Sequence, residues 1–172
     1  MLRLIGSLFI LAGCFGLGVM YRERLRGRIR TLQQLMDILE LFEGEIRYGR
    51  SVLPECCQRV GEQTTGELGE TLQLVGKRMQ KEEGISFPEL FKSEFGKCME
   101  KYPITAQDRE NFFGFVSPTG YAEGRMQQRA MEQGRERLGK EKEKLERESA
   151  EKSRVAVGLG AMSGFLLILI LW

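Results

Sequence analysis

Glu43, Glu45, Arg47 and Tyr48 crowd four ionisable side chains into one short stretch, and Arg50 follows closely. Paired carboxylates do general acid–base work when both can reach the reacting group. On a helix, residues two apart point to different sides, so Glu43 and Glu45 make no natural acid–base pair. What the group can do is present charge of both signs to a partner. Nucleophilic chemistry is no better served. The chain contains no histidine, so neither serine nor cysteine has an imidazole base. Cys56 and Cys57 are adjacent, while Cys14 and Cys98 are distant, which is not the spacing of a zinc site. Their expected place is as small buried residues. There are two aspartates, Asp37 and Asp108, and no glycine-rich loop opens a helix to hold phosphate. The residues therefore predict a protein that is not an enzyme and uses neither cofactor nor metal.

The elements that position these groups are helical. Four prolines punctuate the middle of the chain, and each stands beside a hydroxyl residue: Ser51 and Pro54, Ser86 and Pro88, Pro103 and Thr105, Ser117 and Pro118. A hydroxyl caps the free N–H groups of a helix start, and proline costs little there. Ser86 with Glu89 has capping-box spacing, and Thr105 with Asp108 approximates it. Six helices are expected. The first runs over about 22–48 with an apolar stripe at Leu25, Ile29, Leu32, Leu35/Met36, Leu39, Phe42 and Ile46. The others span about 53–60, 66–82, 87–100 and 106–115, with a sixth from near Thr119. No stretch alternates as a strand does, so the fold class is all-α.

Both ends of the chain are apolar. Residues 4–20 and 155–172 contain no charge, and 17–18 helical residues reach roughly 26 Å, near the lower limit for a bilayer core. Of the 26 Lys/Arg, all but Arg3 lie between these runs. Arg22, Arg24, Arg26, Arg28 and Arg30 follow the first run, and Lys152 and Arg154 precede the second. Cytoplasmic flanks are rich in Lys and Arg, which predicts both termini outside and the middle in the cytosol. Leu11-Ala12-Gly13-Cys14 also satisfies a lipobox, but lipidation there would require exporting the arginine cluster against that rule. The expected layout is a membrane-anchored six-helix bundle: a transmembrane helix over 1–21, a cytosolic bundle over 22–134, a charged helical stalk over 135–154 and a second transmembrane helix over 155–172.

The stalk carries eight Lys/Arg and six Glu, with Leu138 and Leu145 as its large apolar residues. It is expected to be solvated and held by pairs such as Glu136–Lys140 and Glu143–Arg147, with a coiled-coil seam as the alternative. Gly13, Gly16 and Gly18 in the first run, and Gly160 and Gly164 in the second, are small enough for close membrane-helix packing. Outside residues 22–30 no basic face exists for nucleic acid, since 31–154 holds 20 basic and 23 acidic residues.

The order of these features resembles a known family. The stretches Leu32-Gln33-Gln34-Leu35, Leu41-Phe42-Glu43-Gly44-Glu45-Ile46-Arg47-Tyr48-Gly49 and Leu53-Pro54-Glu55 are similar to stage III sporulation protein AB of endospore-forming bacteria. The likeness continues through the capped helix at Ser86, the Ser117-Pro118-Thr119-Gly120 turn, the charged helix and the closing apolar run. Gly44 and the doubled Cys56-Cys57 depart from the pattern. The resemblance implies a bundle like the cytoplasmic domain of type II secretion and type IV pilus platform proteins. It implies a secretion-type ATPase partner, stage III sporulation protein AA, and other membrane subunits of the mother cell–forespore channel. It also implies a place in the mother-cell membrane around the forespore. On that reading Glu43, Glu45, Arg47, Tyr48 and Arg50 form the partner-binding surface. A membrane-anchored helical signalling or regulatory module is the alternative.

Overall fold

The computed structural model describes residues 2–48, 53–81, 84–116, 126 and 128–149, without the side chains of 2–19, 21 and 48. Helix α1 is Leu2–Tyr48, α2 is Leu53–Gln63, α3 is Glu67–Lys81, α4 is Phe87–Met99 and α5 is Ala106–Phe113. A sixth helix, α6, covers 128–149, and no strand occurs among the described residues. The expected boundaries of α2–α5 and the end of α1 hold to within a few residues, but α1 begins at Leu2, so the first apolar run and the expected helix over 22–48 are one helix; the expected start of α6 near Thr119 lies outside the described residues.

Among the described residues no helix is long and apolar enough to cross a membrane. The first apolar run is described in backbone only, as the beginning of α1, and the second lies outside the described residues. So do the expected packing positions Gly160 and Gly164. Gly13, Gly16 and Gly18 are helical residues of α1.

Two local signals act as expected and one differs. Thr105 accepts from the Asp108 N–H at 3.2 Å, and the Thr105 N–H donates back to the Asp108 carboxylate at 2.9 Å, which completes a capping box. Ser86 occupies the N-cap of α4, but its hydroxyl makes no cap bond and donates instead to the Glu89 carboxylate at 2.8 Å. Gly84, beyond the end of α3, adopts φ +100°, a conformation open to glycine at little cost.

The core is built around the stripe of α1. Leu32, Leu35, Leu39 and Phe42 are fully buried, as is Ile38, which the stripe did not include. Against them pack Val60 of α2, Leu72 and Val75 of α3, and the phenylalanines of α4 and α5. The α2–α3 pair approaches unusually closely through small residues. A methyl group on Gly69 would overlap the Thr64 carbonyl oxygen, and one on Gly61 would lie 2.7 Å from the Gly69 carbonyl oxygen. Gly69→Ala is therefore expected to destabilise the bundle by about 2 kcal/mol through overpacking, although alanine is the better helix former by about 1 kcal/mol. Gly44→Ala is the control, because a methyl there meets nothing within 4 Å. Thermal unfolding followed by circular dichroism compares the two; equal melting temperatures would contradict the close-packing account.

The charged C-terminal helix is the main correction. Leu138 and Leu145, with Met131, are buried, so α6 as far as 149 is not a solvated stalk. Met131, Gly134, Leu138, Glu141, Leu145 and Glu148 recur at steps of three and four, the spacing of a seam. That seam lies on α1. A methyl on Gly134 would sit 3.4 Å from Leu39 Cδ1, one on Gly139 would sit 3.5 Å from Met36 Cε, and Lys142 donates to Gln33 Oε1 at 2.8 Å. Rising numbers on α6 meet falling numbers on α1, so the two helices are antiparallel. The expected surface pairs also form, Lys140–Glu136 at 2.7 Å and Arg147–Glu143 at 2.5 Å. A helix this charged reaches the core because its few apolar side chains all fall on one line.

Candidate functional site

The last turns of α1 carry the acidic pair, and the structure sends its members opposite ways. The Glu43 side chain is 13% exposed and lies between Arg47 of α1, at 2.6 Å, and Arg135 of α6, at 3.5 Å. The Glu45 side chain is 20% exposed and pairs with Arg59 of α2 at 3.2 Å. The expectation that they face different sides holds. Each also joins α1 to a neighbouring helix. The cations are the outward groups, since Arg47 and Arg59 are both exposed. Tyr48 ends α1, with its side chain outside the described residues, and Arg50 lies outside them altogether. The exposed groups at this end therefore include Arg47 and Arg59, each paired with a half-buried carboxylate.

The thiols match their expected role. Cys56, Cys57 and Cys98 form no disulfide and are buried, and burial pushes each of them up from the ordinary thiol range; the Cys14 side chain lies outside the described residues. Such thiols stay protonated and are poor nucleophiles. Among the described residues no group of three His, Cys, Asp or Glu is arranged to hold a metal ion.

A second polar constellation escaped the sequence reading. Arg28 grips Asp108 with two hydrogen bonds, Nε to Oδ2 at 2.8 Å and Nη2 to Oδ1 at 3.0 Å. Its Nη2 also lies 3.6 Å from Glu141 of α6. Asp108 is wholly buried. Burial alone would push its carboxyl up. The Arg28 guanidinium, the Thr105 N–H and the Thr105 hydroxyl outweigh that effect and hold it below its ordinary range. One guanidinium thus ties α1, α5 and α6 together. A signal for it was present in the chain: Arg28 stands in line with Leu32, Leu35, Leu39, Phe42 and Ile46 at steps of four and three. A cation at a core position demands a buried anion.

Comparison with known proteins agrees with this architecture. A solved structure of stage III sporulation protein AB superposes with a TM-score of 0.62 at 19% identity, covering 72% of this chain and 96% of that one. Stage III sporulation protein AB of Bacillus subtilis (strain 168) is 23% identical over 171 residues, 99% of each chain. The family profile for stage III sporulation protein AB matches residues 3–172. With an all-helical bundle, the shared fold and a match over nearly its whole length, the chain belongs to the stage III sporulation protein AB family.

Proposed function

We propose that this protein is a non-enzymatic membrane platform in the channel between mother cell and forespore, holding a secretion-type ATPase, stage III sporulation protein AA, against the mother-cell membrane. The observation that carries the reading is the antiparallel seam of α1 and α6. Helix α1 runs unbroken from the first apolar run into the core, and α6 returns along it. The chain therefore leaves α6 at the end of the bundle where α1 enters. Two apolar runs that join one end of a rigid bundle suit a domain standing on one side of a bilayer, with both termini across it. The opposite end, at Arg47 and Arg59, is then the part furthest from the lipid and open to a cytosolic partner. Other channel subunits would meet the apolar runs, through the glycines at 13, 16, 18, 160 and 164.

The test is the affinity of the full chain, reconstituted in nanodiscs, for the purified ATPase. Wild type should form a complex, and Arg47→Glu with Arg59→Glu should weaken it at least about tenfold, because reversing the outward charges sets like charges across the interface, which costs several kcal/mol. The same pair should also cost about 1–2 kcal/mol of stability, since each new glutamate faces another within the bundle. A swapped pair, Glu45→Arg with Arg59→Glu, separates the two effects: it keeps the internal ion pair while altering the outer surface. A folded swapped variant with wild-type affinity would remove this end from the proposal. No complex with wild type at all would favour the alternative, a membrane-anchored regulatory module.

A further inference from the structure

We propose that Arg22, Arg26 and Arg30 form a docking stripe for the headgroups of anionic phospholipids. The proposal rests on the bilayer reading above and adds a specific lipid contact to it. Five arginines at every second position cannot share one helix face. At about 100° per residue, Arg22, Arg26 and Arg30 fall on one side, while Arg24 and Arg28 fall near the side of the apolar stripe. The structure separates the second pair: Arg24 is exposed. Arg28 is turned into the bundle, where Asp108 and Glu141 receive it. Arg22, Arg26 and Arg30 are exposed.

Several other arginines are matched by acids: Arg47 with Glu43, Arg59 with Glu45, Arg135 with Glu40 and Arg147 with Glu143. On the stripe, Arg26 has only Glu23, at 3.9 Å, and Arg22 and Arg30 have no ion-pair partner among the described residues. Three guanidinium groups rising about 12 Å along one helix face, directly after an uncharged run in the same helix, match an array of phosphates at a membrane surface. The planar guanidinium binds phosphate through two parallel hydrogen bonds, which favours a phosphodiester over diffuse counterions.

The experiment places the full chain in nanodiscs of phosphatidylcholine and phosphatidylglycerol at a two-to-one ratio, and counts the lipids retained on the protein by native mass spectrometry. Wild type should retain phosphatidylglycerol several-fold above its share, in line with a gain of about fivefold per basic residue near an anionic surface. Arg22→Gln, Arg26→Gln and Arg30→Gln together should abolish the enrichment. Lys77→Gln, Arg129→Gln and Arg137→Gln, which remove equal charge elsewhere, should leave it intact. Equal retention by wild type and the stripe variant would overturn the proposal, as would equal loss in the charge-matched control. Carbonate extraction of wild type from vesicles distinguishes the two levels. A chain that washes off defeats the bilayer reading and this proposal with it; one that stays, without enrichment, defeats this proposal alone.

Discussion

Arg28→Ala should lower the unfolding free energy by about 3–5 kcal/mol at neutral pH, because it strands Asp108 as a buried charge without its partner. That is a large part of the total stability of a domain this size, about 5–15 kcal/mol. Arg22→Ala, six residues earlier and exposed, should cost less than about 0.5 kcal/mol. The expected pH dependence follows from the direction of the Asp108 shift. In wild type the carboxyl is held below its unfolded range, so the unfolded chain binds the proton more readily. The pair's contribution is complete above about pH 4 and is lost as pH falls through the depressed folded value. In Arg28→Ala only burial and the Thr105 bonds remain, and the carboxyl moves up. The gap between wild type and variant should therefore narrow on acidification. Arg28→Leu combined with Asp108→Asn should recover at least half of the loss, since no buried charge remains and asparagine can still accept the cap bond. Urea unfolding of the full chain in mild detergent, at several pH values, measures all of this. An Arg28→Ala variant as stable as Arg22→Ala would show that the buried pair contributes nothing.

Phe91→Ala should cost a similar amount, about 3–5 kcal/mol, by opening a cavity at the centre of an aromatic cluster. Phe91 is fully buried. Its ring lies 5.2 Å from Phe95, 5.3 Å from Phe87, 5.6 Å from Phe115, 5.9 Å from Phe113, 6.3 Å from Phe42 and 6.4 Å from Phe112. Stacked and edge-on contacts of this kind add to area burial. Because the ring joins α1, α4 and α5, its loss should lower cooperativity as well as the midpoint. Phe113→Ala is the comparison. That ring is half-buried at the edge of the cluster, and its removal should cost about half as much. The same unfolding experiment reads both. A Phe91→Ala loss below about 1 kcal/mol would mean that the cluster repacks around the gap.

How much of the site was legible in the chain differs residue by residue. Glu43 and Glu45 could be placed on different sides of α1 from their spacing. Which helices they would meet could not, because Arg135 and Arg59 are 92 and 14 positions away. Thr105 and Asp108 could be read as a cap, since a cap is closed within one turn. That Asp108 would also hold Arg28, 80 residues distant, was hidden by the other use the arginine cluster suggested. Five arginines after an apolar run read as a topology signal, and only the line from Arg28 to Ile46 marked one of them as internal.

The sequence by itself determined the helical class, the element order, the apolar stripe of α1, the capping of α5, the surface pairs of α6 and the family. The family rests on a resemblance of whole stretches; the others rest on periodicity or on contacts within a few residues, where backbone geometry dictates which side chains meet. The tertiary structure alone decided that α6 turns its leucines onto α1, that α2 and α3 touch through glycines, and that Arg28 ends on Asp108. Each depends on which faces of distant helices come together. A pattern of charges and apolar residues along one helix states what that helix can bury, but only the fold supplies the surface it buries against.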